Sequence, residues 1–105
     1  MVESILIAPE GELDVASVGE FRSTLSEAAG KGADRVVVDL SRLESIDSSG
    51  LGALVELDNR LRREYRRLAV VAPGGTVAAL LMNLSGVQNR LLIYENREAA
   101  IEGGS

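Results

Sequence analysis

Apolar positions along this chain change their spacing several times, and each change marks an element. Ser4 to Ala8 (SILIA) is a short apolar run that reads as a strand. Pro9 stops it, and Glu10 to Asp14 reads as a turn or a strand end. From Val15 the spacing becomes helical. Val18, Phe21, Leu25 and Ala28 recur at steps of three and four while Glu20, Arg22 and Glu27 fall off the stripe, which predicts an amphipathic helix. Asp14 is placed as its N-cap, and Gly30 with Gly32 marks its end. Arg35 to Leu40 (RVVVDL) has three valines in succession without alternation, the mark of a strand covered on both faces. Ser41 to Ile46 reads as a polar connection from which Leu43 and Ile46 tuck inward.

A second helix is predicted from about Ser49. Its buried stripe is Leu51, Leu54, Leu57, Leu61 and Tyr65, widened by Val55. Glu56 and Arg60 stand four apart in the favourable order, worth about 0.3 kcal/mol. Leu68 to Ala72 is the next strand, ended by Pro73-Gly74-Gly75. A third helix carries Val77, Leu80, Leu81 and Leu84 on one face and closes at Ser85-Gly86. Leu91 to Tyr94 is a last strand, Arg97 to Glu102 a short helix, and residues 103–105 a frayed, disordered tail. The order β-α-β-α-β-α-β-α predicts an α/β layer architecture with parallel crossovers, built as one domain over residues 1–105.

Composition narrows the function. Apolar residues are 46% of the chain, enough for a real core, and aromatics only 3%, so that core is Val, Leu, Ile and Ala. A formal charge of −5 with no tryptophan argues against nucleic acid, whose phosphates demand a basic face. There are no cysteines, hence no disulfide or zinc–sulfur site, and no histidines, the commonest general base. No apolar run nears the ~20 residues that span a bilayer, and Met1-Val2-Glu3-Ser4 does not start a secretory signal. The expectation is a cytoplasmic protein without membrane insertion.

The stretch with chemistry in it is Ile46-Asp47-Ser48-Ser49-Gly50-Leu51-Gly52, where a helix is about to begin. A serine hydrolase would need Gly-x-Ser-x-Gly and a histidine, and neither exists. A P-loop would need Gly-Lys-[Ser/Thr], and the only lysine is Lys31. A dinucleotide fingerprint fails because Val55 stands at its third glycine. The carboxylate pairs Glu12 with Asp14 and Asp39 with Asp47 read as caps and solvated charges rather than a metal site. The expectation is therefore no enzyme, no cofactor and no metal. A binding role fits better. Ser48 or Ser49 can cap the helix, and Gly50 and Gly52 let another surface come close. A phosphate on a hydroxyl here would add roughly −1.5 to −2 charge beside Asp47, Glu44 and Asp14, repelling a partner docked on the neutral turn. The other reading is that Asp-Ser-Ser-Gly is only a capping turn, with Ser49 the cap. A nucleotide-binding turn is a further alternative. The arginines at 60, 62, 63, 66 and 67 read as a solvated helix face, or as a docking site for an acidic partner.

Gly11-Glu12-Leu13-Asp14 after a short strand, then Val36-Val37-Val38-Asp39-Leu40-Ser41, then Asp47-Ser48-Ser49-Gly50-Leu51-Gly52, resembles the STAS-domain family, and within it the bacterial anti-sigma factor antagonists. Leu84-Ser85-Gly86-Val87 fits the same pattern, and the resemblance runs to about Ala100. It implies a small four- to five-stranded mixed sheet with helices packed largely on one face. It also implies partner switching. The unphosphorylated antagonist binds an anti-sigma factor that is also a serine kinase, which frees a sigma factor. Phosphorylation reverses this, and a serine phosphatase resets it. By resemblance the modified residue is Ser48, and Asp14, Asp47, Ser49, Gly50, Leu51 and Gly52 join it in the partner-binding surface. The alternative within the family is a STAS subunit of a transporter or stress-sensing complex, binding a partner without a kinase cycle. One departure stands out. The family usually has an extra strand before Gly-Glu-Leu-Asp, and here only ten residues precede Gly11, so that strand is expected to be very short or missing, leaving an exposed edge.

Overall fold

A computed structural model of the chain describes residues 3–103. The strands are β1 (Ser4–Ile7), β2 (Gly11–Leu13), β3 (Arg35–Asp39), β4 (Leu43–Ile46), β5 (Arg67–Val71) and β6 (Leu92–Tyr94). The helices are α1 (Val18–Gly30), α2 (Ser48–Arg63), α3 (Val77–Ser85) and α4 (Arg97–Glu102), with a 3-10 turn over Val87–Asn89. The main sheet has the order β1-β3-β5-β6, and β2 pairs with β4 in a separate two-stranded sheet.

The unbroken valine run explains the layering. Val36 and Val38 face one side of β3, where they join Leu68 and Val70 of β5 beneath α1, α2 and α3. Val37 faces the other side with Ala69, Val71 and Ala100 of α4. Both faces are dry, so alternation is absent. Helices thus lie largely on one face, as the resemblance implied, and α4 covers the other. The sheet is not mixed, however. Among the described residues every pairing, including β2 with β4, is parallel. A helix intervenes between each strand of the main sheet and the next, so each returns in the same direction.

Two polar clamps hold α4 across the back of β3. At one end the buried Asp39 carboxylate accepts from Arg97 Nε at 2.6 Å and from the Ser41 N–H at 2.9 Å. Burial pushes the Asp39 carboxyl up, but hydrogen bonds from Ser41 and Arg97 outweigh it and hold the group below its ordinary value. At the other end the buried Arg35 donates from Nη1 to the Ala100 carbonyl at 2.6 Å and to that of Gly103. Gly103, expected in the frayed tail, is thereby tied down, and its own N–H reaches Ala99 O at 2.6 Å. The rest of that expected tail, 104–105, lies outside the described residues.

Several elements differ from expectation. Leu43 to Ile46 is strand β4 rather than a connection, although Leu43 is buried as expected. Helix α1 begins at Val18 with Ser17 at its N-cap position, while the Asp14 carboxylate accepts the Ala16 and Ser17 N–H groups in the turn before it. Tyr65 leaves the α2 stripe because the helix ends at Arg63 and Tyr65 takes a left-handed backbone (φ 58°). Arg66 N–H then reaches Leu61 O and Tyr65 N–H reaches Arg62 O, a Schellman closure that throws the ring outward, 98% exposed. Glu56 pairs across to Arg22 of α1, and Arg60 with Glu64 instead. The arginine cluster is largely employed in the fold. Arg66 donates to the Ala29 and Ala33 carbonyls, and Arg62 donates to the Arg90 carbonyl and forms an ion pair with Asp58. Helix α3 is turned away from the expected face. Ala78 and Met82 are buried, whereas Leu80 and Leu84 are 62% and 77% exposed. A helix apolar nearly all round carries no periodic signal to set its rotation.

Candidate functional site

The site is assembled by the small β2–β4 sheet. Leu13 stands in register with Ile46, and the Asp47 N–H continues the ladder to Leu13 O at 3.1 Å. Asp14 and Asp47 therefore leave two adjacent strands side by side. The Asp14 chain turns at once into α1. Ser17 Oγ accepts the Asp14 N–H at 3.0 Å and donates to Glu12 O at 2.9 Å, which fixes that turn. Val15, which follows Asp14, is left 77% exposed next to the site. Sequence reasoning counted Val15 toward the start of the helix and missed its exposure. The signal was available, because it stands off the Val18–Phe21–Leu25 stripe.

Asp47 caps α2. Its backbone is extended, its carboxylate Oδ1 accepts the Ser49 N–H at 2.8 Å, and its carbonyl accepts from Gly50 and Leu51. The cap was expected from Ser49 or Ser48. Asp wins because it sits one residue before the first helical position, while Ser48 and Ser49 already belong to the first turn. The Asp47 carboxylate also occupies the place where a helix N-terminus would receive a phosphate, which weighs against a nucleotide-binding turn.

The remaining candidates separate by burial. Ser48 is exposed and Ser49 half-buried. Leu51 belongs to the core, and Gly50 is buried against β2 and β4. A Cβ at Gly50 would lie 2.8 Å from Leu13 Cδ2 and 3.1 Å from Ile46 Cγ1. Any side chain at 50 would therefore have to displace Leu13 and crowd Ile46. At Gly52, half-buried, nothing lies within 4 Å of such a Cβ. The structure brings Asp14, Asp47, Ser48, Ser49 and Gly52 to one end of the domain, and places Gly50 and Leu51 beneath them as support. Glu44, on β4, is exposed. Among the described residues no three acidic side chains converge as a metal cluster would, and no helix is long and apolar enough to cross a membrane.

Residues 2–100 match the STAS domain family. The chain belongs to that family. A STAS relative from Thermotoga maritima, provisionally named an anti-sigma factor antagonist, is 27% identical over 99 residues, covering 93% of this chain and 87% of the relative. The crystal structure of an anti-sigma factor antagonist of that organism, also provisionally named, superposes with a TM-score of 0.82 at 25% identity, over 94% of this chain and 85% of that one. The Bacillus cell fate determinant SpoIIAA in its phosphorylated form gives a TM-score of 0.68 at 26% identity, over 97% of this chain and 91% of that one. This STAS chain thus shares its fold with these relatives and covers most of their length.

Proposed function

We propose that this STAS domain is an anti-sigma factor antagonist that works by partner switching, with Ser48 as its phosphorylated residue. The observation that carries the reading is the exposed Ser48 hydroxyl, set at the start of α2 while Asp47 does the capping. The unphosphorylated turn docks an anti-sigma factor that is also a serine kinase, and the released sigma factor directs transcription. Phosphorylation of Ser48 places a dianion beside Asp14 and Asp47, and a serine phosphatase removes it. Two features support the mechanism. Relatives that the chain covers over most of their length carry the antagonist name, and one of them, SpoIIAA, has a phosphorylated form. Locally, the helix start is already occupied by the Asp47 carboxylate, so added charge there is repelled toward solvent and toward any docked partner. Gly50 and Leu51 serve this surface from below, by fixing the angle at which α2 leaves β4.

The test is binding to an anti-sigma factor kinase encoded in the same genome. Ser48→Asp is expected to weaken the complex at least about tenfold, or ~1.4 kcal/mol, with Ser48→Ala close to wild type. Equal affinity of Ser48→Asp and wild type overturns the electrostatic mechanism.

A further inference from the structure

The main sheet ends on one side at β1, and among the described residues no strand pairs with its outer edge. The register says which groups are left over. Arg35 N–H bonds the Glu3 carbonyl, and Ser4 stands opposite Arg35. In a parallel ladder alternate residues serve one neighbour, so Glu3, Ile5 and Ile7 serve β3, and the backbone N–H and C=O of Ser4 and Leu6 point off the sheet. Such an edge is a template for a further strand.

Beside this edge runs a groove of about 570 Å³ between β1 and α1. Its apolar lining includes Ile5, Ile7, Phe21 and Leu43. Its polar lining carries Glu10, Glu12, Glu20 and Glu27 against a single cation, Lys31. All five of these charged residues are exposed. On the other face of the strand Leu6 is 42% exposed.

We infer that the β1 edge is a docking site for an extended basic segment of another protein, which adds to the sheet as a strand. The chemistry on each face of such a strand follows from the alternation of its side chains. Side chains entering the groove meet apolar walls and then carboxylates, which suits lysine or arginine. Their methylene stems pack on Ile5 and Phe21, and their heads reach Glu20 and Glu27. Side chains on the opposite face meet Leu6, which suits valine or isoleucine. A second copy of this chain is a poor occupant, because edge-to-edge pairing would set these acidic rims against each other. One end of the groove reaches Glu12, Leu13 and Ser17, which support the Asp14 turn, but Ser48 does not line it. The peptide test involves no phosphorylation, so it stands or falls independently of partner switching.

A short synthetic peptide alternating lysine and valine is the probe, titrated calorimetrically into the full chain. Saturable binding is expected, weakened by salt, with the Ser4 and Leu6 amides gaining protection from hydrogen exchange. Leu6→Pro removes an outward N–H that β3 does not use, and proline is tolerated at an edge. Exposed Glu20→Lys with Glu27→Lys reverses the rim without touching the core. Each variant is expected to bind the peptide at least about tenfold more weakly. Unchanged affinity in the charge-reversed variant overturns the proposal, as does equal binding of a glutamate–valine peptide. A wild-type dimer that Leu6→Pro converts to monomer overturns it too, in favour of self-pairing.

Discussion

The Asp47 carboxylate accepts the Ser49 backbone N–H at 2.8 Å, and that one bond separates the residue that starts α2 from the residue offered to a partner. The acid holds the helix, and the exposed hydroxyl of Ser48 is left outside the fold's own requirements. Stability and function therefore divide between neighbours. Asp47→Ala is expected to cost about 1 kcal/mol in urea denaturation, the loss of an N-cap. Ser48→Ala should stay within about 0.5 kcal/mol of wild type. Equal losses at the two positions would contradict the division.

The glycines of the turn divide in the same way. At Gly50 a Cβ meets Leu13 and Ile46 side-chain atoms at 2.8 to 3.1 Å, so Gly50→Ala is expected to destabilise by about 1–3 kcal/mol. Gly52 lies inside the helix with open space around it, so Gly52→Ala should stabilise by about 0.5–1 kcal/mol through helix propensity alone. Thermal melts of the two variants should shift in opposite directions.

The rotation of α3 is tested by a pair of substitutions. Met82 is 1% exposed, and Met82→Ala should cost about 2–5 kcal/mol. Leu84→Ser, on the solvent side, should stay within about 0.5 kcal/mol of wild type. The reverse ranking by denaturant unfolding would mean that α3 packs through the face its sequence suggests.

Asp39 links α4 to pH. Its folded-state carboxyl lies below the ordinary value because the hydrogen bonds from Ser41 and Arg97 outweigh the effect of burial. The folded state therefore holds its proton less tightly than the unfolded chain. The stabilisation is complete above the unfolded aspartate value of about 3.9 and is lost as pH falls through the lower folded value. Asp39→Asn should lower stability at neutral pH and flatten the acid limb of the stability curve below about pH 4. An unchanged acid limb would show that the Arg97 clamp does not carry this dependence.

The parts of the chain that sequence describes well are those with a strong, unshared signal. The Val36-Val37-Val38 run marks a strand buried on both faces, and the leucine stripe of α2 from Leu51 to Leu61 is buried as spaced. Strand β4 was hidden because Leu43, Glu44, Ser45 and Ile46 do not alternate, and its partner β2 is only three residues long. Its pairing comes from the long-range register of Leu13 with Ile46, which no local pattern encodes. The turn at Asp47 to Gly52 was legible as a helix start, but its cap was not. Asp, Ser and Ser are all good caps, and only the position of the first helical residue decides among them. Burial of Gly50 and Leu51, both read as partner contacts, likewise depends on β2 arriving from elsewhere in the chain.

The central claim is that Ser48 is the residue on which the switch turns. The most direct measurement is incubation of the chain with a cognate anti-sigma factor kinase and Mg-ATP, followed by mass spectrometry of its peptides. The account predicts a single phosphate, located on Ser48 and absent from Ser48→Ala, with the neighbouring Ser49 unmodified. Phosphate incorporated to the same extent in Ser48→Ala, or mapped to Ser49 in the wild-type chain, would contradict it.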